Sequence, residues 1–148
     1  MNLILLVEDE YGIAEVLKLL FEADGYRVAL ASNGKAALEL LAGEVPALIL
    51  SDFMMPHMNG GELGIAVRND PRLKDIPIVI LSATSEVVVQ RTFSDYDAFV
   101  VKPCELDALT LLVKRLVTAG RAGSQRSADV DESMRQLLKG IELPPTES

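Results

Sequence analysis

Five side chains suited to ionic or phosphoryl chemistry each stand at the end of a short apolar run. Glu8 and Asp9 follow "LILLV" (3–7), Asp52 follows "ALILS" (47–51), Ser82 closes "PIVILS" (77–82) and Lys102 follows "AFVV" (98–101). Singly, each has a plain explanation. An acidic pair after a strand serves as the cap and first turn of a helix, and one Asp after a strand serves a turn. Jointly they describe a site. Three carboxylates held together repel one another and need cations to remain ionised at neutral pH. Lys102 is one such cation. With one histidine (His57) and one cysteine (Cys104) in the chain, a zinc site lacks ligands, whereas carboxylates with water suit Mg2+. A metal and a lysine around one carboxylate would also stabilise an incoming phosphoryl group, its oxygens shared among the ion, the ammonium and the Ser82 hydroxyl.

This convergence requires the runs to be parallel strands. Most are continuous rather than alternating, the pattern of strands buried on both faces. The runs are 3–7, 26–31, 47–51, 77–82 and 98–101, and segments of helical period separate them. Ile13, Val16, Leu17 and Leu20 mark an inward face, with Gly25 placed to end that helix. Asn33 caps a second helix with Ala37, Leu40 and Leu41 inward and Gly43 as its stop. A third begins near Asn59-Gly60 and ends before Pro71. The segment 84–94 is a poor helix because Val87, Val88 and Val89 are β-branched. A last helix over 105–118 carries Leu109, Leu112, Val113 and Leu116 on one face. The order βα, five times repeated, predicts an α/β fold: a doubly wound five-stranded parallel sheet with helices on both faces. Ligands of such sheets bind beyond the carboxyl ends of the strands.

The chain has 148 residues, of which 49% are hydrophobic, enough for one cored domain. Its net charge of −8 argues against direct nucleic-acid binding and against an anionic membrane surface. A lone cysteine suits a cytoplasmic location, and neither a signal peptide nor a membrane span is expected. Residues 1–118 read as the domain. Residues 119–148 read as a linker or tail, with a short amphipathic helix over 131–142 formed by Met134, Leu137, Leu138 and Ile141.

The set "VED", "SDFMMPHMNG", "ILSA" and "FVVKP" resembles the receiver domain of two-component response regulators, over about residues 2–118. The resemblance implies a flavodoxin-like (βα)5 fold with strand order 2-1-3-4-5, and a phosphorylation-activated signalling switch. Asp52, preceding the "xxMPxMxG" loop, would be the phosphoacceptor. Asp9 would coordinate Mg2+ (or Mn2+) directly, Glu8 through water and Met54 through its backbone carbonyl. Lys102 would pair with the phosphate, Ser82 would supply the hydroxyl, and Phe99 would be the aromatic switch residue, turning inward when Ser82 moves. The Lys102-Pro103 bond would be cis. Implied partners are a sensor histidine kinase or histidine phosphotransfer protein, and a downstream protein or second copy on the face of segment 84–94, the fifth strand and the last helix. The chain would not be a metabolic enzyme, its catalysis limited to its own phosphotransfer and autodephosphorylation. The alternative is a receiver module of a larger regulator or hybrid kinase whose output domain lies beyond Ser148.

Two other classes fit less well. A dehalogenase-type phosphohydrolase needs Asp-x-Asp on the first strand, which "VEDEYG" lacks, and a flavin site needs a hydroxyl- and glycine-rich loop there. Asp95 and Tyr96 depart from the family's Gly and small residue, Cys104 replaces a large apolar residue, and Glu105 is a mediocre N-cap. His57 is expected to project from its loop, and Cys104 to be a small buried hydrophobe.

Overall fold

A computed structural model describes residues 2–121 and 141–142. Strands and helices alternate as β1 (Leu3–Val7), α1 (Tyr11–Ala23), β2 (Arg27–Ala31), α2 (Gly34–Gly43), β3 (Leu48–Asp52), α3 (Gly60–Asn69), β4 (Ile78–Ser82), α4 (Glu86–Thr92), β5 (Ala98–Val101) and α5 (Leu106–Ala119). A two-residue strand, β6 (Ile141–Glu142), follows. The sheet runs β2-β1-β3-β4-β5-β6. Its first five strands are parallel, in the expected 2-1-3-4-5 order, and β6 joins antiparallel to β5. The helix expected over 131–142 lies outside the described residues except for its last two positions. Those two form strand instead, because the open edge of β5 offers their backbone groups partners.

Alternation along the strands divides the core into two layers. Ile4, Leu6, Leu50 and Val79 face Leu17 and Phe21 of α1 and Leu109, Leu112 and Leu116 of α5. Leu5, Val7, Ile49 and Ile80 face Ala37 and Leu41 of α2, Leu63 and Val67 of α3, and Val89 of α4. Two inward assignments fail. Val16 is 54% exposed and Leu40 42%, because the stripes that bury run through Ala14, Leu17 and Phe21, and through Ala37 and Leu41. Gly25 does end α1, with φ +93°, and the Asn33 carboxamide does cap α2 by accepting from the Ala36 N–H.

The residues that depart from the family pattern are absorbed by the core. Asp95 needs no left-handed backbone: among the described non-glycine residues only His57 has positive φ. Tyr96 is buried between Phe93 and Phe99, with ring centroids 6.3 and 6.0 Å away. Its hydroxyl donates to the Glu86 carboxylate and accepts from Gln90 Nε2, so it holds short α4 rather than crowding it. Below it, buried Asp97 accepts from Arg68 Nη2 (2.9 Å), Arg121 Nε (2.9 Å) and the Ile78 N–H (2.8 Å). Arg68 also donates to the carbonyls of Lys74, Ile76 and Asp95. This one network ties the end of α3, the starts of β4 and β5, and the exit of α5.

Candidate functional site

Strands β1 and β3 are neighbours in register, Val7 opposite Ser51, so Glu8 and Asp52 emerge side by side. Strand β3 is buried throughout, a fixed pedestal for Asp52, which is itself 8% exposed. Behind it, the Gly60 N–H donates to the Phe53 carbonyl at 2.8 Å. A Cβ on Gly60 would stand 2.4 Å from the Asp52 carbonyl oxygen, so only glycine lets α3 start this close to the acid. Asn59 and Glu62 complete a capping box that fixes that start. The intervening loop is anchored by Met55 and Met58, which pack on the core, while Pro56 and His57 are exposed.

Ligand oxygens of Glu8, Asp9 and Asp52 lie within 4.8 Å of one another. Asp9 is exposed and Glu8 is 4% exposed. Lys102 Nζ bridges Glu8 Oε1 at 3.0 Å and Asp52 Oδ1 at 3.2 Å. Burial pushes the Glu8 carboxyl up to about 7, against the hydrogen bond from Lys102, and the neighbouring Asp52 charge adds to the rise. For Lys102 the largest single influence is burial, which lowers it. The hydrogen bond to Glu8 and the charges of Asp52 and Glu8 outweigh that and leave the ammonium above its ordinary value.

Glu8 Oε2 is buried and has no hydrogen-bond partner among the described residues. An unsatisfied buried carboxylate oxygen is costly, so this oxygen calls for a water or cation donor. Three clustered carboxylates with one orphaned oxygen form a donor set that fits a hard divalent cation with several waters, such as Mg2+.

Ser82 is buried at the end of β4, one strand from Asp52. Its hydroxyl is turned into its own loop, accepting from the Thr84 N–H at 2.8 Å and reaching the Thr84 carbonyl at 3.3 Å. Phe99 is 1% exposed, so its ring already lies inside, against Tyr96. The Met54 side chain is 62% exposed beside Asp52. The Lys102-Pro103 bond is cis. Cys104 is half-buried against the α1–α5 core, and burial raises its thiol, as befits a packing residue. The sequence reading missed the Asp97 network and the Tyr96 contacts. Both join charges or hydroxyls distant in the chain with no shared motif.

The family model described as response regulator receiver domain matches residues 4–114. The response regulator Rre1 of Synechocystis is 33% identical over 150 aligned positions, covering 95% of this chain and 65% of that protein. Histidine kinase P4 of Formosa agariphila is 34% identical over 77% of this chain but only 8% of its own length. Among solved structures, the receiver domain of a signal transduction histidine kinase from Syntrophus aciditrophicus superposes with TM-score 0.73 at 34% identity, covering 88% of this chain and 98% of that one. The Thermotoga maritima response regulator TrrA, solved with Mg2+ and BeF, gives TM-score 0.68 at 33% identity, over 78% and 99%.

Proposed function

Residues 4–114 place this chain in the response regulator receiver domain family, and from that premise we propose that Asp52 accepts a phosphoryl group from a histidine kinase or histidine phosphotransfer protein. The observation that carries the reading is the Lys102 ammonium bridging Glu8 and Asp52 beside a third carboxylate, Asp9. A carboxylate oxygen of Asp52 attacks phosphorus, a P–O bond forms as the donor's P–N bond breaks, and the leaving imidazole takes up a proton. Mg2+ held by Asp9, Asp52, the Met54 carbonyl and, through water, Glu8 would supply charge neutralisation at the transferring group. Lys102 neutralises the remaining negative charge and holds the phosphoryl oxygens in place.

Transfer then biases a conformational equilibrium. A phosphoryl group adds roughly −1.5 to −2 charge and strong acceptor oxygens. To donate to it, the Ser82 hydroxyl must leave Thr84 and turn toward Asp52. Phe99 is already inside, so the rearrangement is a repacking of the Phe93–Tyr96–Phe99 cluster beneath α4 rather than the entry of an exposed ring. The output is a change in the face built by α4, β5 and α5, read by a downstream protein or a second copy. Hydrolysis of the phosphoaspartate resets the switch, and the phosphodonor places the domain in the cytoplasm. A second reading has support: the chain spans 65% of the length of Rre1 and matches a short part of a histidine kinase, as a receiver module of a larger regulator would.

Intact-mass analysis after incubation with acetyl phosphate tests the proposal. Wild type should gain one phosphoryl group only when Mg2+ is present, and Asp52→Asn should gain none. Equal uptake by both proteins would refute it.

A further inference from the structure

Strand β5 is the last parallel strand, and an edge strand presents unpaired N–H and C=O groups to whatever can add to it. The Asp97 N–H donates inward to the Ile78 carbonyl of β4 at 2.8 Å. Alternation along the strand therefore turns the N–H and C=O of Val100 outward. Val100 is the residue opposite Ile141, and Phe99 is opposite Glu142. In an antiparallel ladder this makes Val100–Ile141 the pair that exchanges both hydrogen bonds, and Phe99–Glu142 the non-bonded pair.

The path of the chain suits an occupant from the same molecule. Arg121, just beyond α5, is fixed to Asp97 and Asp95 near the start of β5, at 2.9 and 2.6 Å. Antiparallel β6 must enter at the far end of β5. Ile141 belongs to the same chain, so its segment meets this edge at a higher effective concentration than a free peptide would. Val87 and Val88 of α4 and Val101 at the end of β5 are exposed apolar residues on the two elements of the proposed output face.

We infer that the edge of β5 is a strand-accepting surface, occupied in the resting protein by the chain's own Ile141–Glu142 segment, which an extended segment of a partner must displace to use the face between α4 and α5. The inference builds on the output face proposed above, but its first test requires no phosphoryl group. A single hydrogen-bonded residue pair makes a weak cap, and tethering rather than contact area keeps it in place.

Amide exchange by NMR on the full chain reads the cap directly. In the double variant Ile141→Pro/Glu142→Pro, the Val100 amide should exchange on the order of tenfold faster than in wild type, while the inward Phe99 amide is unchanged. Equal Val100 exchange in both proteins would overturn the proposal. Loss of wild-type Val100 protection on dilution would also overturn it, by assigning the strand to a second copy. Displacement is read with a synthetic peptide of residues 136–145. It should bind the double variant at least about tenfold tighter than wild type, since there it meets no tethered competitor. Equal binding to both would show that the tail does not guard this edge. If the exchange and peptide results hold while Asp52 fails to take up phosphate, the cap stands and the phosphoryl reading falls.

Discussion

Replacing Asp97 by Asn should destabilise the domain more than any single change at the phosphoryl site. The carboxylate is fully buried and, among the described residues, accepts from Arg68 Nη2, Arg121 Nε and the Ile78 N–H. The two guanidinium contacts differ in worth. The Arg121 side chain is 27% exposed and its other partner, Asp95, is 59% exposed, so that pair is partly screened and contributes about 1 kcal/mol or less. The Arg68 side chain is only 9% exposed. Removing the buried negative charge leaves its guanidinium in low dielectric with backbone carbonyls and, at 3.5 Å, the exposed Asp95 carboxylate as acceptors; breaking a buried pair costs about 3–5 kcal/mol. Asparagine retains one oxygen for the Ile78 N–H but must point an NH2 group at a cation. The expected loss is about 3–4 kcal/mol for Asp97→Asn, against about 1 kcal/mol for Arg121→Ala. Urea unfolding at pH 7, with unchanged slopes, measures both. A loss below about 1 kcal/mol in Asp97→Asn, or equal losses in the two variants, would refute the view that Arg68–Asp97 is the buried anchor of β5.

Gly60→Ala should cost about 1–3 kcal/mol and slow phosphoryl uptake, since its Cβ would push on the Asp52 carbonyl from 2.4 Å; urea unfolding and intact-mass kinetics report the two effects, and a neutral variant would contradict the close-packed pedestal. Mg2+ titration should show a larger affinity loss in Asp9→Asn than in Glu8→Gln, because a directly coordinating carboxylate vacates an octahedral position whereas a water-bridged one does not. The reverse order would exchange their roles. Met54→Asn should shorten the lifetime of the phosphorylated protein at fixed Mg2+, since the exposed thioether offers no group to orient an in-line water. An unchanged lifetime would remove Met54 from that step.

What the sequence revealed followed from local rules. Buried parallel strands produce uninterrupted apolar runs, and their carboxyl ends must meet on one side of the sheet, so Glu8, Asp9, Asp52, Ser82 and Lys102 could be placed together before any coordinates. Gly25 and Asn33 announced helix ends by their own chemistry. Periodicity was weaker at face margins: Val16 and Leu40 sit beside the buried stripe and turn out to solvent. Orientation within the site was not legible. The hydroxyl of Ser82 could face Asp52 or its own loop, and only the coordinates show it with Thr84. Tyr96 looked too large for its place because the space above it is defined by α4, whose Glu86 and Gln90 meet the phenol from a separate turn of chain. Long-range charge pairing, as in Arg68–Asp97, leaves no periodic trace at all.

The most direct test of the account is to locate the phosphoryl group itself. After reaction with acetyl phosphate and Mg2+, borohydride reduces an acyl phosphate to the alcohol, and peptide mass spectrometry then identifies which residue was modified. The account predicts conversion of Asp52 to homoserine, with the carboxylates of Glu8 and Asp9 untouched. Modification at either of those residues in place of Asp52 would contradict it.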